Sequence, residues 1–181
     1  MTLREFKILQ WNIRSALSNY TDAIMIANQE KPDIIMLNET WLKNKDSLRI
    51  KNYQTIRQDR QDGKGGLAIL SNNAISVNIL DLQLHIDWRI QILGITCQGI
   101  SIVTCYCPPD ISLSITNLRN MFSQIPQPFV FMGDLNGQNS IWGSHINNQT
   151  GRNLAEIIDE CNFTILNNGV PTRLTPPLSK G

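Results

Sequence analysis

Histidine and net charge are both scarce in this sequence. Only 2 of the 181 residues are histidine, charged residues make up 17%, and the formal net charge is +1. A nearly neutral chain has no overall positive field that would attract a polyanion. A nucleic acid or a phosphorylated ligand would therefore need a local basic patch or a metal ion. The sequence also contains no candidate Ser-His-Asp or Cys-His arrangement and no P-loop.

Cysteine is also sparse, and its spacing is not that of a zinc site. The four cysteines, Cys97, Cys105, Cys107 and Cys161, include no C-x-x-C pair. Cys105 and Cys107 are two residues apart on a predicted strand, so they share one face of it. We interpret the cysteines as reduced thiols of an intracellular protein rather than as metal ligands.

No apolar run approaches the length that spans a membrane, and the N-terminus MTLREFKILQW does not have the layout of a signal peptide. We therefore expect no membrane segment and an intracellular location. The length fits one domain over residues 1–181, and a hydrophobic content of 41% is typical of a globular fold.

The order of predicted elements indicates the fold class. Apolar runs predict strands, and apolar residues at helical spacing predict helices. The predicted strands cover 6–12, 33–39, 53–58, 66–70, 75–80, 90–97, 100–107, 129–132 and 163–167, and the helices 18–30, 112–125 and 152–161. Units of the β-α-β type thus flank a run of hairpins, which predicts an α/β fold of two mixed sheets packed on each other with helices outside.

Polar side chains follow four of these strands at the point where each strand ends. They are Asn12, Glu39, Tyr106, and the pair Asp134 and Asn136. Each one alone is better explained by a turn or a cap, which Asn and Asp favour. Strands in such sheets tend to present functional groups beyond their carboxyl ends, so the coincidence favours a single site.

The residue types at these strand ends suit phosphate chemistry. Glu39 and Asp134 supply the hard oxygen atoms that Mg²⁺ prefers. Asn12 and Asn136 can hold a metal-bound oxygen or orient a phosphate without adding charge, and Tyr106 can donate to a phosphate oxygen. The set favours metal-assisted hydrolysis of a phosphate ester.

Short motifs around these residues resemble the endonuclease/exonuclease/phosphatase superfamily. They are W-N at 11–12, N-E-T-W at 38–41, Y-x-P-P at 106–109 and G-D-L-N at 133–136. Q-W-N-I-R-S at 10–15, the R-Q-D-R segment at 57–60 with its following glycine turn, and T-G-R-N-L at 150–154 narrow the likeness. Together they resemble the apurinic-endonuclease-like domain of non-long-terminal-repeat retrotransposons, especially the jockey type, over essentially the whole chain.

The resemblance implies a four-layer α/β/β/α sandwich and a divalent metal, usually Mg²⁺ with Mn²⁺ as the alternative. It implies a domain that nicks one DNA strand in the nucleus, leaving a 3′-hydroxyl for a reverse transcriptase fused to it. By motif, Glu39 would be the principal metal ligand, with Asn12 beside it. Asp134 would activate or orient the attacking water, and Asn136 and Tyr106 would hold the scissile phosphate.

Two departures from the family pattern stand out. Repair-type relatives have an acid where this chain has Arg14, which argues against a dedicated abasic-site repair enzyme. The late S-x-x-D and S-D-H segments of the family do not occur in the sequence. We therefore expect a fold that lacks its last strands and is truncated at the C-terminus, and a chain that cleaves DNA poorly or not at all.

Other functions and residues stay open at this level. The alternatives are a phosphatase of the same superfamily acting on inositol phosphates or lipids, and an inactive fold that only binds nucleic acid. Arg57, Arg60 and Lys64 form the best local basic cluster, either contacting the DNA backbone or lying in an ordinary solvated turn. Trp11 and Trp41 flank site residues, and we interpret them as walls of the core.

Trp142 and the two histidines have less specific interpretations. We interpret Trp142 as an anchor of the core or a loop, or as a neighbour of the substrate. His85 and His145 are interpreted as loop residues.

Overall fold

The computed structural model describes residues 6–170, whose eight strands form two four-stranded sheets. The first sheet contains β1 (Ile8–Asn12), β2 (Ile34–Asn38), β3 (Tyr53–Gln58) and β4 (Leu67–Asn72), in the order β1-β2-β4-β3. β1 and β2 run parallel, and β4 is antiparallel to both β2 and β3. The sheet is therefore mixed, as the sequence predicted.

The second sheet repeats this mixed arrangement. It contains β5 (Asn78–Ile79), β6 (Gln91–Cys97), β7 (Ile100–Tyr106) and β8 (Phe129–Asp134), in the order β5-β6-β7-β8. β6 is antiparallel to β5 and β7, whereas β7 and β8 are parallel. Each sheet thus has one parallel pair, β1–β2 in the first and β7–β8 in the second.

The central strand β2 is buried on both faces, which explains its unbroken apolar sequence. Alternate side chains of a strand point to opposite faces. Ile35 and Leu37 pack in a cluster with α1 (Tyr20–Glu30), to which Ala23 and Ala27 of that helix contribute. The other face of β2 packs in the core between the sheets, whose buried members are Ile34, Met36, Leu67, Ile69, Ile75, Leu93, Ile95, Cys97, Ile102 and Tyr106.

Two further helices follow the second sheet's hairpin. They are α2 (Ile115–Phe122) and α3 (Gln149–Glu160), with a short 3₁₀ helix at Ser140–Trp142. Phe122, at the end of α2, stacks on Phe129 and meets Phe131 edge to face, with ring centroids 6.1 Å and 5.0 Å apart. The C-terminal end of α2 therefore packs on β8.

The chain divides into two compact units. One comprises Met1–Ile111 and Asn120–Leu135, and it contains both sheets and α1. The other comprises Ser112–Arg119 and Asn136–Gly181. In this second unit the side chain of Asn148 caps α3 by accepting from the Gly151 amide at 2.8 Å.

The T-G-R-N-L motif stabilises the second unit. Thr150 Oγ1 accepts from the Leu113 amide at 3.1 Å, and Asn153 Nδ2 donates to the Leu113 carbonyl at 2.7 Å. A Cβ at Gly151 would lie 1.9 Å from the carbonyl oxygen of Gln138, so only glycine fits there. These residues of the motif therefore have structural roles.

Two sequence-based strand predictions need correction. The strand predicted over 163–167 is wrong, because this segment is irregular and Leu166 is 77% exposed. Residues 163–167 pair with none of the eight strands found in residues 6–170. The strand predicted over 75–80 is reduced to the two residues of β5.

The predicted fold class is confirmed: the chain is an α/β sandwich of two mixed sheets with helices. The expectation of missing last strands concerns the end of the chain, where residues 171–181 lie outside the described part. Within residues 6–170, no helix is both long enough and apolar enough to cross a membrane.

Candidate active site

Asn12 links three strand ends through one amide group. Its Nδ2 donates to Glu39 Oε1 at 2.7 Å and to Asp134 Oδ2 at 2.7 Å. Asn12 ends β1, and Glu39 follows β2 in the same sheet, whereas Asp134 ends β8 in the other sheet. The side chain of Asn12 therefore bridges the two sheets at this edge.

The parallel strand pairs explain why these ends coincide. In the first sheet Asn12 is in register with Asn38, the residue before Glu39. In the second sheet Tyr106 is in register with Asp134. The carboxyl ends of parallel neighbours lie at the same edge of a sheet. The structure thus brings together four of the five side chains predicted for the site, Asn12, Glu39, Tyr106 and Asp134.

Tyr106 is buried beside the two carboxylates, with 6% of its surface exposed. Burial raises the pKa of its phenol to about 12, and the negative charges of Glu39 and Asp134 add to the rise. Its hydroxyl also donates to Glu39, whereas the charge of Arg60 acts in the opposite direction. Tyr106 is therefore a neutral hydrogen-bond donor over the whole physiological pH range.

Glu39 has an unusual backbone conformation, with φ of +55°. A non-glycine residue in this left-handed region costs about 1–3 kcal/mol and persists only when its surroundings hold it there. The Glu39 carbonyl accepts from the Ser15 amide at 2.9 Å, and the adjacent Thr40 carbonyl accepts from the Ala16 amide at 2.8 Å. These bonds fix the turn that carries the Glu39 carboxylate.

Asn38 is a site-supporting residue that the sequence analysis missed. It is fully buried, and its Nδ2 donates to the Cys105 carbonyl at 3.0 Å and to Thr104 Oγ1 at 3.3 Å on β7. Its Oδ1 accepts from Gln10 Nε2 at 2.6 Å. Asn38 therefore joins β2 to the other sheet one residue before Glu39. The signal that could have identified Asn38 is its place as a polar residue at the end of the apolar run DIIMLN.

Asn136, the fifth predicted site residue, belongs to the second unit. Its φ is +48°, which Asn tolerates better than most residues, and its carbonyl accepts from Asn148 Nδ2 at 2.7 Å. Its role in holding a phosphate stays a prediction.

The three residues of the predicted basic cluster differ in their surroundings. Lys64 is exposed, whereas Arg60 is buried with 8% of its surface accessible. Arg57 is half-buried, and its guanidinium donates to the Asp46 carbonyl at 2.7 Å and lies 3.3 Å from Asp59. They do not form one exposed patch, and a DNA contact stays a prediction for each.

The tryptophans near the motifs also differ in environment. Trp41 is 42% exposed, so its interpretation as a core wall is wrong. Trp11 is half-buried and packs against the cluster that includes α1. Trp142 anchors a loop of the second unit, because its Nε1 donates to the Gly137 carbonyl at 2.9 Å.

The donor set at the strand ends fits Mg²⁺ better than a softer ion. Asn12 Oδ1 is buried and has no hydrogen-bond partner in the described structure. Glu39 and Asp134 are the two nearby carboxylates, and residues 6–170 contain no group of three or more His, Cys, Asp or Glu side chains that could hold a metal ion. Mg²⁺ is usually held by one or two carboxylates, with substrate phosphates and water completing its coordination.

Comparison with known proteins agrees with the motifs and the fold. The family model described as "Endonuclease-reverse transcriptase" matches residues 100–179. The probable RNA-directed DNA polymerase from transposon X-element of Drosophila melanogaster is 23% identical over 172 residues, which is 92% of this chain and 19% of that protein. The chain thus spans about a fifth of the length of the curated relatives it matches.

Two solved structures share the fold. An AP endonuclease from Archaeoglobus fulgidus superposes with a TM-score of 0.73 at 18% identity, covering 86% of this chain and 71% of that one. The endonuclease domain of TRAS1, a telomere-specific non-LTR retrotransposon, superposes with a TM-score of 0.68 at 21% identity, covering 92% and 77%. The ordered motifs, the family match over residues 100–179 and the shared fold all agree with a resemblance to the endonuclease domains of non-long-terminal-repeat retrotransposons.

Proposed function

We propose that this chain is a DNA-nicking endonuclease domain that hydrolyses one phosphodiester bond with the help of a divalent cation. The observation that carries the proposal is the bridge from Asn12 Nδ2 to Glu39 and Asp134 at 2.7 Å each. It brings two carboxylates from different sheets to one edge, where Tyr106 provides a neutral donor. Two carboxylates and one hydrogen-bond donor are suited to the in-line attack of water on a phosphate.

Each side chain has a distinct part in this reaction. Asp134 accepts a hydrogen bond from the attacking water and takes up its proton. Asn12 keeps the Asp134 carboxylate oriented, because the amide holds one of its oxygens. Tyr106 donates to a non-bridging phosphate oxygen, and its raised pKa keeps the proton available for this. Such preorganised donors stabilise the charge that develops in the transition state.

Glu39 and Asn12 would hold the cation. When bound, Mg²⁺ supplies positive charge that stabilises the developing charge on the phosphate and the leaving oxygen. The buried Oδ1 of Asn12, which has no protein partner in the described structure, supports this assignment. Before substrate binds, the Tyr106 hydroxyl donates to Glu39 and keeps that carboxylate in place, and its single proton turns to the phosphate oxygen when the substrate is present.

The relatives support a proposal about the setting of the domain. The names of those relatives describe RNA-directed DNA polymerases. We propose that this domain is joined to a reverse transcriptase and nicks chromosomal DNA in the nucleus, leaving a 3′-hydroxyl as primer. Because the S-x-x-D and S-D-H segments do not occur in these 181 residues, we expect the chain alone to cleave slowly.

A pair of substrates separates this function from its alternatives. Supercoiled plasmid DNA and a set of inositol phosphates are each incubated with the protein, with Mg²⁺ and with excess chelator. We expect nicking of the plasmid that the chelator stops, and no phosphate release from the inositol phosphates. The reverse selectivity would identify a phosphatase. DNA binding with no hydrolysis of either substrate would identify a fold that only binds nucleic acid.

A further inference from the structure

Arg60 is buried although it carries a charge. It is 8% exposed, and all other arginines and lysines in residues 6–170 are exposed or half-buried. A guanidinium removed from water is destabilising unless its donors are paired. Its position therefore calls for an explanation other than the solvated turn or the DNA contact that the sequence suggested.

Each of the three nitrogens of the Arg60 guanidinium donates a hydrogen bond within the protein. Nε donates to Asp62 Oδ1 at 3.1 Å, Nη2 donates to the other Asp62 oxygen, and Nη1 donates to the Arg89 carbonyl at 3.4 Å. The Trp88 ring covers the group, with its centroid 5.2 Å from Cζ, a cation–π distance. To contact a phosphate, Arg60 would have to give up these bonds.

The side chain of Arg60 packs directly against a glycine. A Cβ on Gly65, whose φ is +63°, would lie 2.7 Å from Arg60 Cδ and 2.8 Å from its Nη1. The next residue, Gly66, donates its amide to Gln91 Oε1 at 2.7 Å. Arg60 thus packs against Gly65, and Gln91 binds the adjacent Gly66.

These glycines in turn brace the segment that follows Glu39. The Gly65 carbonyl accepts from the Trp41 amide at 2.9 Å, and the Gly66 carbonyl accepts from the Thr40 amide at 3.2 Å. Because Glu39 has a left-handed backbone, its conformation depends on how firmly the next two residues are held.

We propose that Arg60 is a positioning residue, which holds Gly65 and Gly66 so that Thr40 and Trp41 keep the Glu39 carboxylate in its site. The catalytic part of this inference rests on the proposed function, whereas the structural part does not. The charge of Arg60 also lies close enough to the site to lower the pKa of Tyr106 against the effect of the carboxylates.

The test compares Arg60→Ala and Arg60→Lys with Lys64→Ala, an exposed basic residue on the same turn. Amide hydrogen exchange is measured for Thr40 and Trp41, with the amides of the central strand β2 as the reference for global stability. Single-turnover nicking and the salt dependence of DNA binding are measured on the same variants, with and without added guanidinium ion. Arg60→Lys keeps charge and bulk but loses the planar fork, so it serves if Arg60→Ala does not fold.

We expect Arg60→Ala to accelerate exchange at Thr40 and Trp41 at least about tenfold while the β2 amides stay protected. Nicking should slow by about 10²-fold, be partly restored by guanidinium ion, and show an unchanged salt slope. Lys64→Ala should leave exchange at Thr40 and Trp41 unchanged.

Unchanged exchange at Thr40 and Trp41 in both Arg60 variants would overturn the inference. So would a salt slope that falls by about 0.9 without local loosening, the value for one lost phosphate contact. If the wild-type chain does not nick DNA, the proposed function fails, and the exchange measurement still decides the structural role of Arg60.

Discussion

Asn12 illustrates how a neutral side chain can organise a charged site. Its one amide nitrogen donates to both Glu39 and Asp134, and so links two negatively charged side chains. An aspartate at this position would remove that donor and add a third carboxylate. Neighbouring like charges disfavour ionisation and raise the pKa values of the group.

The substitution Asn12→Asp tests this reading, with Asn12→Ser as the matched neutral control. We expect Asn12→Asp to slow nicking by at least about 10²-fold and to move the acid limb of the pH–rate profile to higher pH. Asn12→Ser should slow the reaction without moving that limb. Steady-state nicking across a pH series measures both effects. If the acid limb does not move in Asn12→Asp, then the charge at residue 12 does not act on the two carboxylates.

Tyr106 gives a prediction on pH that does not depend on catalysis. Its pKa in the folded protein is about 12, above the ordinary 10.0. Because the folded state holds the proton more tightly, the contribution of Tyr106 to stability is complete below about pH 10 and is lost as the pH rises towards 12. Replacing Glu39 by Gln removes an adjacent negative charge, so the pKa of Tyr106 should fall in that variant.

Tyrosinate absorbance measured against the Tyr106→Phe variant isolates this group. Circular dichroism on the same samples identifies the pH range over which the fold persists. A titration near pH 10 in the folded wild type would contradict the buried environment of Tyr106. An equal pKa in wild type and Glu39→Gln would contradict the hydrogen bond between Tyr106 and Glu39.

At the scale of elements, the pair β7–β8 depends on a glycine. Gly133 has φ of +148°, and a Cβ there would lie 2.1 Å from the Cys105 carbonyl oxygen on the neighbouring strand. Gly133→Ala should therefore push β8 away from β7 and displace Asp134, the next residue. We expect a loss of about 1–3 kcal/mol in the free energy of unfolding, as for overpacking in a core.

Gly99→Ala is the matched control for this prediction. Gly99 also has positive φ, at +80°, but a Cβ there would meet no atom within 4 Å. Urea unfolding of both variants should show a larger loss for Gly133→Ala, because only that substitution adds a steric clash. Equal losses in the free energy of unfolding would mean that the positive φ of Gly133 matters, and that its close contact with β7 does not.

The elements also show what the sequence could predict. Strand ends were predictable because each buried apolar run stops at a polar residue, as IIMLN does before Glu39. Pairing partners were not, because hydrogen bonds such as Asn12 to Asp134 join residues 122 positions apart. The segment 163–167 has the pattern of a strand, yet a strand also requires an edge to pair with, which local sequence does not report.

The three basic residues of the predicted cluster show the same limit of prediction from local sequence. Three cations within eight positions suggested an exposed patch, and the sequence carried no sign that Trp88 and Asp62 would enclose one of them. The contact of Arg60 with Trp88 joins residues 28 positions apart. A cluster of charges in the sequence therefore does not tell which of the charged side chains are exposed to solvent.

At the scale of the whole molecule, a net charge of +1 makes individual cations matter for DNA binding. Lys64 is the exposed member of the predicted cluster. Lys64→Ala should weaken DNA binding and reduce the slope of log affinity against log salt by about 0.9, as expected for one lost phosphate contact. Lys51→Ala, another exposed lysine, serves as control. Fluorescence anisotropy over a salt series measures both, and equal slopes in wild type and Lys64→Ala would exclude the contact.

We propose above that the sheet edge where Asn12, Glu39, Tyr106 and Asp134 meet is the site of DNA cleavage. The most direct test of this proposal is nicking of supercoiled plasmid under protein excess, comparing wild type with Glu39→Gln and with Glu156→Gln, an exposed glutamate of α3. We expect slow Mg²⁺-dependent nicking by wild type and Glu156→Gln, stopped by chelator and reduced at least about 10²-fold in Glu39→Gln, whose DNA binding changes far less. Nicking by Glu39→Gln at the wild-type rate would exclude Glu39 from the reaction, and nicking that survives the chelator would exclude dependence on a divalent cation.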